Sequence, residues 1–159
     1  MVFSSTIFLC VYLPLVLLGY YICPKKGKNL FLLIVSLIFY AWGEPVYLLL
    51  MIASAAVNWY FGLLIERRRK KIFLILALVL DLGCLAVFKY AGFFVENLNA
   101  VFGASIPVPQ IALPIGISFY TFQALSYTVD VWRGDVPAQR SFAKLLLYIS
   151  LFPQLIAGP

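Results

Sequence analysis

The residues best placed to do chemistry in this chain lie in one stretch, Leu113 to Gly134, which reads LPIGISFYTFQALSYTVDVWRG. Most of it is apolar enough for a membrane, yet Ser118, Thr121, Gln123, Ser126, Thr128 and Asp130 sit within one helical run. At about 100° per residue, Gly116, Tyr120, Gln123, Tyr127 and Asp130 fall on one face, flanked by Phe119 and Ser126. Lipid cannot satisfy an amide or a carboxylate, so this face is predicted to look into protein or a hydrated cavity. Hydroxyl, amide and carboxylate groups on one face suit the binding of a polar ligand. They equally suit a polar seam satisfied by neighbouring helices. A second candidate is Asp81, near the middle of another apolar run. An acid inside the membrane is a functional candidate by default, and its alternative is a protonated or hydrogen-bonded aspartate that glues helices together. Lys89 stands eight residues on, about 12 Å along the axis, too far for a direct pair.

The surroundings of these residues exclude several classes of function. The 159 residues are 64% apolar and 11% charged, with a mean hydropathy of +1.02, which points to a multi-pass membrane protein. The abundance of Phe, Tyr and Trp fits interfacial belts and tight helix packing. The net charge of +6 comes from Lys and Arg clustered between the apolar runs, so it reads as a topology signal and not as a nucleic-acid surface. Cys10, Cys23 and Cys84 have no CxxC spacing and the chain has no His, which leaves neither a zinc ligand set nor a cysteine–histidine pair. They are read as inert membrane cysteines.

The apolar runs give about six hydrophobic helical segments in an all-α, multi-pass integral membrane fold. The first, about Phe3 to Ile22, has no Lys or Arg before it and no small-residue cleavage site. It is read as a retained span with the N-terminus outside and a kink at Pro14. Pro24 and the KKGK loop end it. A short second span, about Asn29 to Trp42, stops at Gly43-Glu44-Pro45. The third, about Val46 to Ile65, carries Ser54, Asn58 and Gly62 at four-residue spacing beside Ala53, Ala55 and Ala56. That is a close-packing seam in which Asn58 reads as helix glue before it reads as a ligand contact. The basic run ERRRKK, Glu66 to Lys71, is an inner-side anchor or, less simply, a site for anionic lipid. A fourth span covers about Ile72 to Phe88. Phe94, Leu98, Val101 and Phe102 then share one side of what reads as a short amphipathic helix lying in the interface, ended by Gly103 and the Pro107-Val108-Pro109 loop. The organising helix follows, then a polar loop from Arg133 to Lys144, and a last span over about Phe142 to Ile156.

Loop charge tests this topology. The loops after spans one, three and five hold three, five and three Lys or Arg, whereas the opposite side holds only Lys89. That is a strict positive-inside alternation. No internal repeat or low-complexity segment interrupts it.

The opening VFSSTIFLCVYLPL, the triplet Phe88-Lys89-Tyr90, the block LPIGISFYTFQALSYTVDVWRG and the ending FPQLIAGP together resemble the N-terminal part of the membrane-bound O-acyltransferases. The nearest branch is the bacterial one of alginate O-acetyltransferase and the teichoic-acid D-alanyl transfer protein. The resemblance covers nearly the whole chain in the family's order, and the PIGISFYTF block and the AGP ending are its specific parts. It implies one membrane domain over 1–159, forming the N-terminal portion of a larger domain in a bacterial inner membrane. A tunnel would admit an acyl donor (acyl-CoA or an acyl-carrier thioester, with no bound cofactor) from the cytoplasm. An extracytoplasmic polysaccharide, or an acceptor protein, would offer the hydroxyl that takes an acyl group, most often acetyl.

In that family a histidine downstream of the AGP motif is catalytic. This sequence has none, so no residue here takes that role and the chain by itself is expected to be silent, awaiting the remaining half of the enzyme. Asp81 is a second departure, standing where a neutral polar residue is usual. With the resemblance in hand, Tyr120, Gln123, Tyr127 and Asp130 become candidate tunnel-lining, substrate-binding residues. Arg133 becomes an inner-end cation able to attract a phosphate or a phosphopantetheine, or a plain positive-inside anchor. Two rival classes stay open. One is a transporter or channel component in which Asp81 and Asp130 bind an ion or proton. The other is a non-catalytic membrane scaffold whose polar fifth helix is buried and dry.

Overall fold

The computed structural model describes residues 8–103, 107 and 113–157. The opening residues, the Val108-Pro109 part of the outer loop and the last two residues of the AGP ending lie outside them. Among the described residues every regular element is helical: α1 (Leu13–Ile22), α2 (Lys28–Gly43), α3 (Pro45–Arg68), α4 (Lys71–Phe102), α5 (Ile117–Arg133), α6 (Phe142–Ser150) and α7 (Phe152–Ala157). The all-α membrane class is therefore what the chain adopts. Both α3 and α4 are long and apolar enough to cross a bilayer, and shorter apolar helices flank them.

Where expected boundaries moved, the local chemistry gives the reason. Pro14 does not simply kink the first span. A π-helical turn at Phe8–Tyr12 precedes it, because proline cannot donate the bond that would close a regular turn there. The short amphipathic helix expected in the interface is not a separate element: α4 runs unbroken from Lys71 to Phe102. Between Phe88 and Phe94 the only weak helix former is Gly92, and a single glycine costs about 1 kcal/mol, too little to break a helix this long. At 32 residues α4 is about 48 Å long, well beyond the ~30 Å hydrocarbon core. The organising helix begins at Ile117 and not at Leu113, since Pro114 to Gly116 form a turn. The last span is broken at Leu151, because Pro153 can occupy the first turn of α7 but not the interior of one continuous helix.

Helix α5 is the hub. It packs against both α3 and α4, while α6 packs against α2 and α3. The buried residues of α3 are Met51, Ala55, Asn58, Gly62 and Ile65, which alternate in steps of four and three. On α5, Ile117, Thr121, Ala124, Thr128 and Val131 repeat the same steps and are also buried. Stripes with this matching period let the two helices pack side by side along their length. Small residues at the contact let the backbones approach, which is how helices associate when lipid removes the hydrophobic drive between them. A second core lies beside this one, where Phe8, Phe39 and Phe152 pack their rings at centroid separations of 5.4 to 5.9 Å and seat α7 against α2 and the π-helical turn.

Candidate functional site

Four side chains from three helices meet inside the bundle. Asn58 of α3 donates from Nδ2 to both carboxylate oxygens of Asp81 on α4, at 3.0 and 2.8 Å, and to the Ser54 carbonyl at 3.0 Å. A carbonyl oxygen only accepts, so this contact fixes which end of the amide is nitrogen. The other end, Oδ1, accepts from the Thr128 hydroxyl of α5 at 2.7 Å. Ser54 adds a further donor to Asp81 at 3.3 Å. Asn58 and Thr128 are fully buried and Asp81 is 4% exposed. Asp81 is thus hydrogen-bonded across α3 and α4, with Asn58 as its partner. The sequence reading had Asn58 as glue but missed Thr128. Its signal was there: Thr121, Ala124 and Thr128 are small residues at the packing period on the α5 face next to the one read as polar.

Both ends of α5 are pinned by carboxylates at the two ends of α3, Glu44 just before it and Glu66 near its close. At one end Glu44 accepts from the Ile115 backbone N–H at 2.9 Å while the Tyr40 hydroxyl donates to the Ile115 carbonyl at 3.1 Å. Gly116 follows at φ 75, a left-handed conformation natural to glycine, and starts the helix. At the other end Gly134, at φ 86, closes α5 by donating to the Asp130 and Val131 carbonyls. The chain then turns back, and Glu66 accepts from the Ala138 N–H at 2.9 Å and pairs with Arg140. The bonds Glu44–Ile115, Asn58–Thr128 and Glu66–Ala138 rise together along both helices, so α3 and α5 run parallel. Glu44 and Glu66 are separated by 22 residues, about 33 Å of helix, close to a hydrocarbon core. The directions of α2, α3 and α5 gather the basic corners at Lys25 to Lys28, Arg67 to Lys71, and Arg133 to Arg140 at one end.

On the expected polar face of α5, Tyr120, Gln123 and Tyr127 are buried in protein and Gly116 and Asp130 are half-buried, and the members do not share one space. Tyr120 is 1% exposed, and its hydroxyl has no hydrogen-bond partner among the described residues. Gln123 is closed off, donating to the Tyr148 carbonyl of α6 at 2.7 Å. Tyr127 accepts from the Gln139 N–H at 3.0 Å. At the basic end Tyr127 and Asp130 line a cavity of about 440 Å³ with Val136, Pro137, Gln139, Lys144, Leu145 and Tyr148. A carboxylate and an ammonium on one cavity wall can receive a ligand that carries both a donor and an anionic or acceptor group. Arg133 does not line this cavity: it is exposed and pairs with Asp135 at 3.1 Å. Among the described residues no cluster of three or more His, Cys, Asp or Glu could hold a metal.

The segment from Gly134 to Ser141 forms the outer wall of this cavity, and Glu66 holds it down. Glu66→Ala is expected to free that wall while the helices stay folded. Amide exchange at Ala138 and Gln139 should then quicken by roughly tenfold, the worth of one lost hydrogen bond. Unchanged exchange at both positions would show that Tyr127 alone secures the strap.

Over its full length the chain is 45% identical to the probable alginate O-acetylase AlgI of Azotobacter vinelandii and 44% identical to that of Pseudomonas aeruginosa. It is 31% identical to the peptidoglycan O-acetyltransferase of Helicobacter pylori. Along its whole length the chain is thus similar to the N-terminal part of a membrane-bound O-acyltransferase. It spans about a third of the curated relatives it matches, 34%, 32% and 36% of their respective lengths. No family model and no solved structure matches it. In O-acyltransferase terms, the described residues hold one rigid polar hub and one cavity at the basic end, both built on the PIGISFYTF helix.

Proposed function

We propose that this chain forms the donor-side portion of an enzyme that transfers an acetyl group to hydroxyls of an exported polysaccharide. The single observation behind this reading is the cavity beside Tyr127, Asp130 and Lys144, which opens at the end of the bundle where the basic loops gather. Positive-inside topology makes that end cytoplasmic, in a bacterial inner membrane with the N-terminus outside. An acetyl thioester arriving from the cytoplasm meets Lys144 and Asp130 in the cavity that they line with Tyr127. In the transfer the acceptor oxygen attacks the thioester carbon, the C–S bond breaks, and the hydroxyl proton passes to a base that the resemblance places beyond residue 159. The names of the relatives, alginate and peptidoglycan acetylases, support an extracytoplasmic glycan as acceptor.

Acetylation by the membrane-reconstituted enzyme tests the reading. Asp130→Asn and Lys144→Ala are each expected to raise the KM for the acyl donor by about tenfold or more, the worth of one charge-assisted bond. The kcat and the acceptor KM should stay near wild type. If both variants keep the wild-type donor KM, this cavity is not the donor site.

A further inference from the structure

A second cavity, of about 200 Å³, lies where α3, α4 and α5 meet, lined by Ser54, Asp81, Cys84, Tyr120 and Thr121 among apolar neighbours. Two unsettled accounts converge on it. The Tyr120 hydroxyl is buried without a partner among the described residues, although a buried hydroxyl left unmade costs about 1–3 kcal/mol. Asp81 accepts from Asn58 and Ser54, both neutral, so among the described residues its charge has no counter-ion. Lys89 lies two turns further along α4 and does not line the space. The donors from Asn58 and Ser54 fill Oδ1 and leave Oδ2 a free lone pair. A small cation or protonated water in the cavity would settle both accounts, with the carboxylate supplying charge and the hydroxyls neutral oxygen ligands.

We propose that this cavity is a hydrated site for a small monovalent cation, held by Asp81 with Tyr120 and Ser54. It stands apart from the acyl-transfer reading, since it uses none of the residues that line the donor cavity. Sodium, potassium and hydronium share the chemistry it requires.

Cys84, on the cavity wall, is a built-in reporter. Variants of the membrane-reconstituted protein that keep only Cys84, or only Cys10 outside the cavity, are treated with a cationic and an anionic methanethiosulfonate. Rates are normalised to those of a free thiol. The cationic reagent is expected to be favoured by about tenfold or more at Cys84 and not at Cys10, from a unit charge a few ångströms away. Asp81→Asn should remove the preference. Slowing of the reaction by sodium or potassium, against choline at equal ionic strength, identifies a metal cation. Slowing only by added acid identifies hydronium. Equal normalised rates for the two reagents at Cys84, or labelling only by a membrane-permeant maleimide, would overturn the proposal, and this comparison holds even if Asp81→Asn does not accumulate.

Discussion

Asn58→Leu is expected to destabilise the protein by about 1.5–3 kcal/mol, the usual consequence of taking a buried charged acceptor's hydrogen-bond donor away. The reason is the saturation of this one amide. Both of its N–H groups and its oxygen are used, on Asp81, the Ser54 carbonyl and Thr128. Leucine would leave a carboxylate without its nearest donor and a threonine hydroxyl that can turn only to the Ala124 carbonyl of its own helix, 3.1 Å away. Asp81→Asn should be much milder, since an amide can still accept from Asn58. Asn58→Leu combined with Asp81→Leu should recover much of the loss, because two apolar groups replace both partners together. Thermal unfolding in detergent measures all three. If the double variant is no more stable than Asn58→Leu, the pairing energy assigned here is wrong.

How much of this was legible in the sequence depends on which physical signal carried it. Helix class and span order were legible because lipid forces uninterrupted apolar runs and charged loops. Lys71 to Lys89 and Leu113 to Gly134 could hardly be read otherwise. The ends of α4 were not, because amphipathicity in Phe94 to Phe102 says which side is apolar but not whether the helix stops first. The helix ends only where Gly103 takes a left-handed cap, at φ 61, which the sequence does not distinguish from Gly92 inside it. The candidate site was half legible. Periodicity correctly removed Tyr120, Gln123 and Tyr127 from lipid, but it could not say that Gln123 would be consumed by the Tyr148 carbonyl, which is 25 residues away on another helix. The anchoring of α5 by Glu44 and Glu66 left no periodic trace. Each is a lone carboxylate at the end of a span, where a charge looks like simple solvation.

Those two carboxylates explain how a helix with so polar a surface keeps one position in the bundle. Packing along the small-residue stripes sets the rotation of α5 but resists sliding weakly, since alanine and threonine offer shallow ridges. Glu44 and Glu66 grip backbone N–H groups just before and just after α5 from a single helix of fixed length. The axial position of α5 is thereby tied to that of α3, and with it the height of Tyr127 and Asp130 in the membrane. A site that must meet a donor at the interface needs that height set.

The same coupling makes Gly62 the second position of large effect. A Cβ placed there would come within 2.6 Å of the Tyr127 hydroxyl and 3.0 Å of its ring edge, so the tyrosine fits only because α3 has no side chain at that point. Gly62→Leu is expected to push Tyr127 aside, break its bond to the Gln139 N–H, and destabilise the fold by about 1–3 kcal/mol or more through overpacking. The gain in helix propensity from leaving glycine, under 1 kcal/mol, is too small to offset it. Gly62→Ala carries the same clash in milder form, and its hydroxyl component vanishes in Tyr127→Phe. The double variant Gly62→Ala with Tyr127→Phe should therefore be more stable than the two single losses predict, by about 0.5 kcal/mol or more, within the range of contacting pairs. Strict additivity in thermal unfolding would mean that the α3–α5 crossing relaxes around residue 62 and that Tyr127 is not held where the cavity requires it.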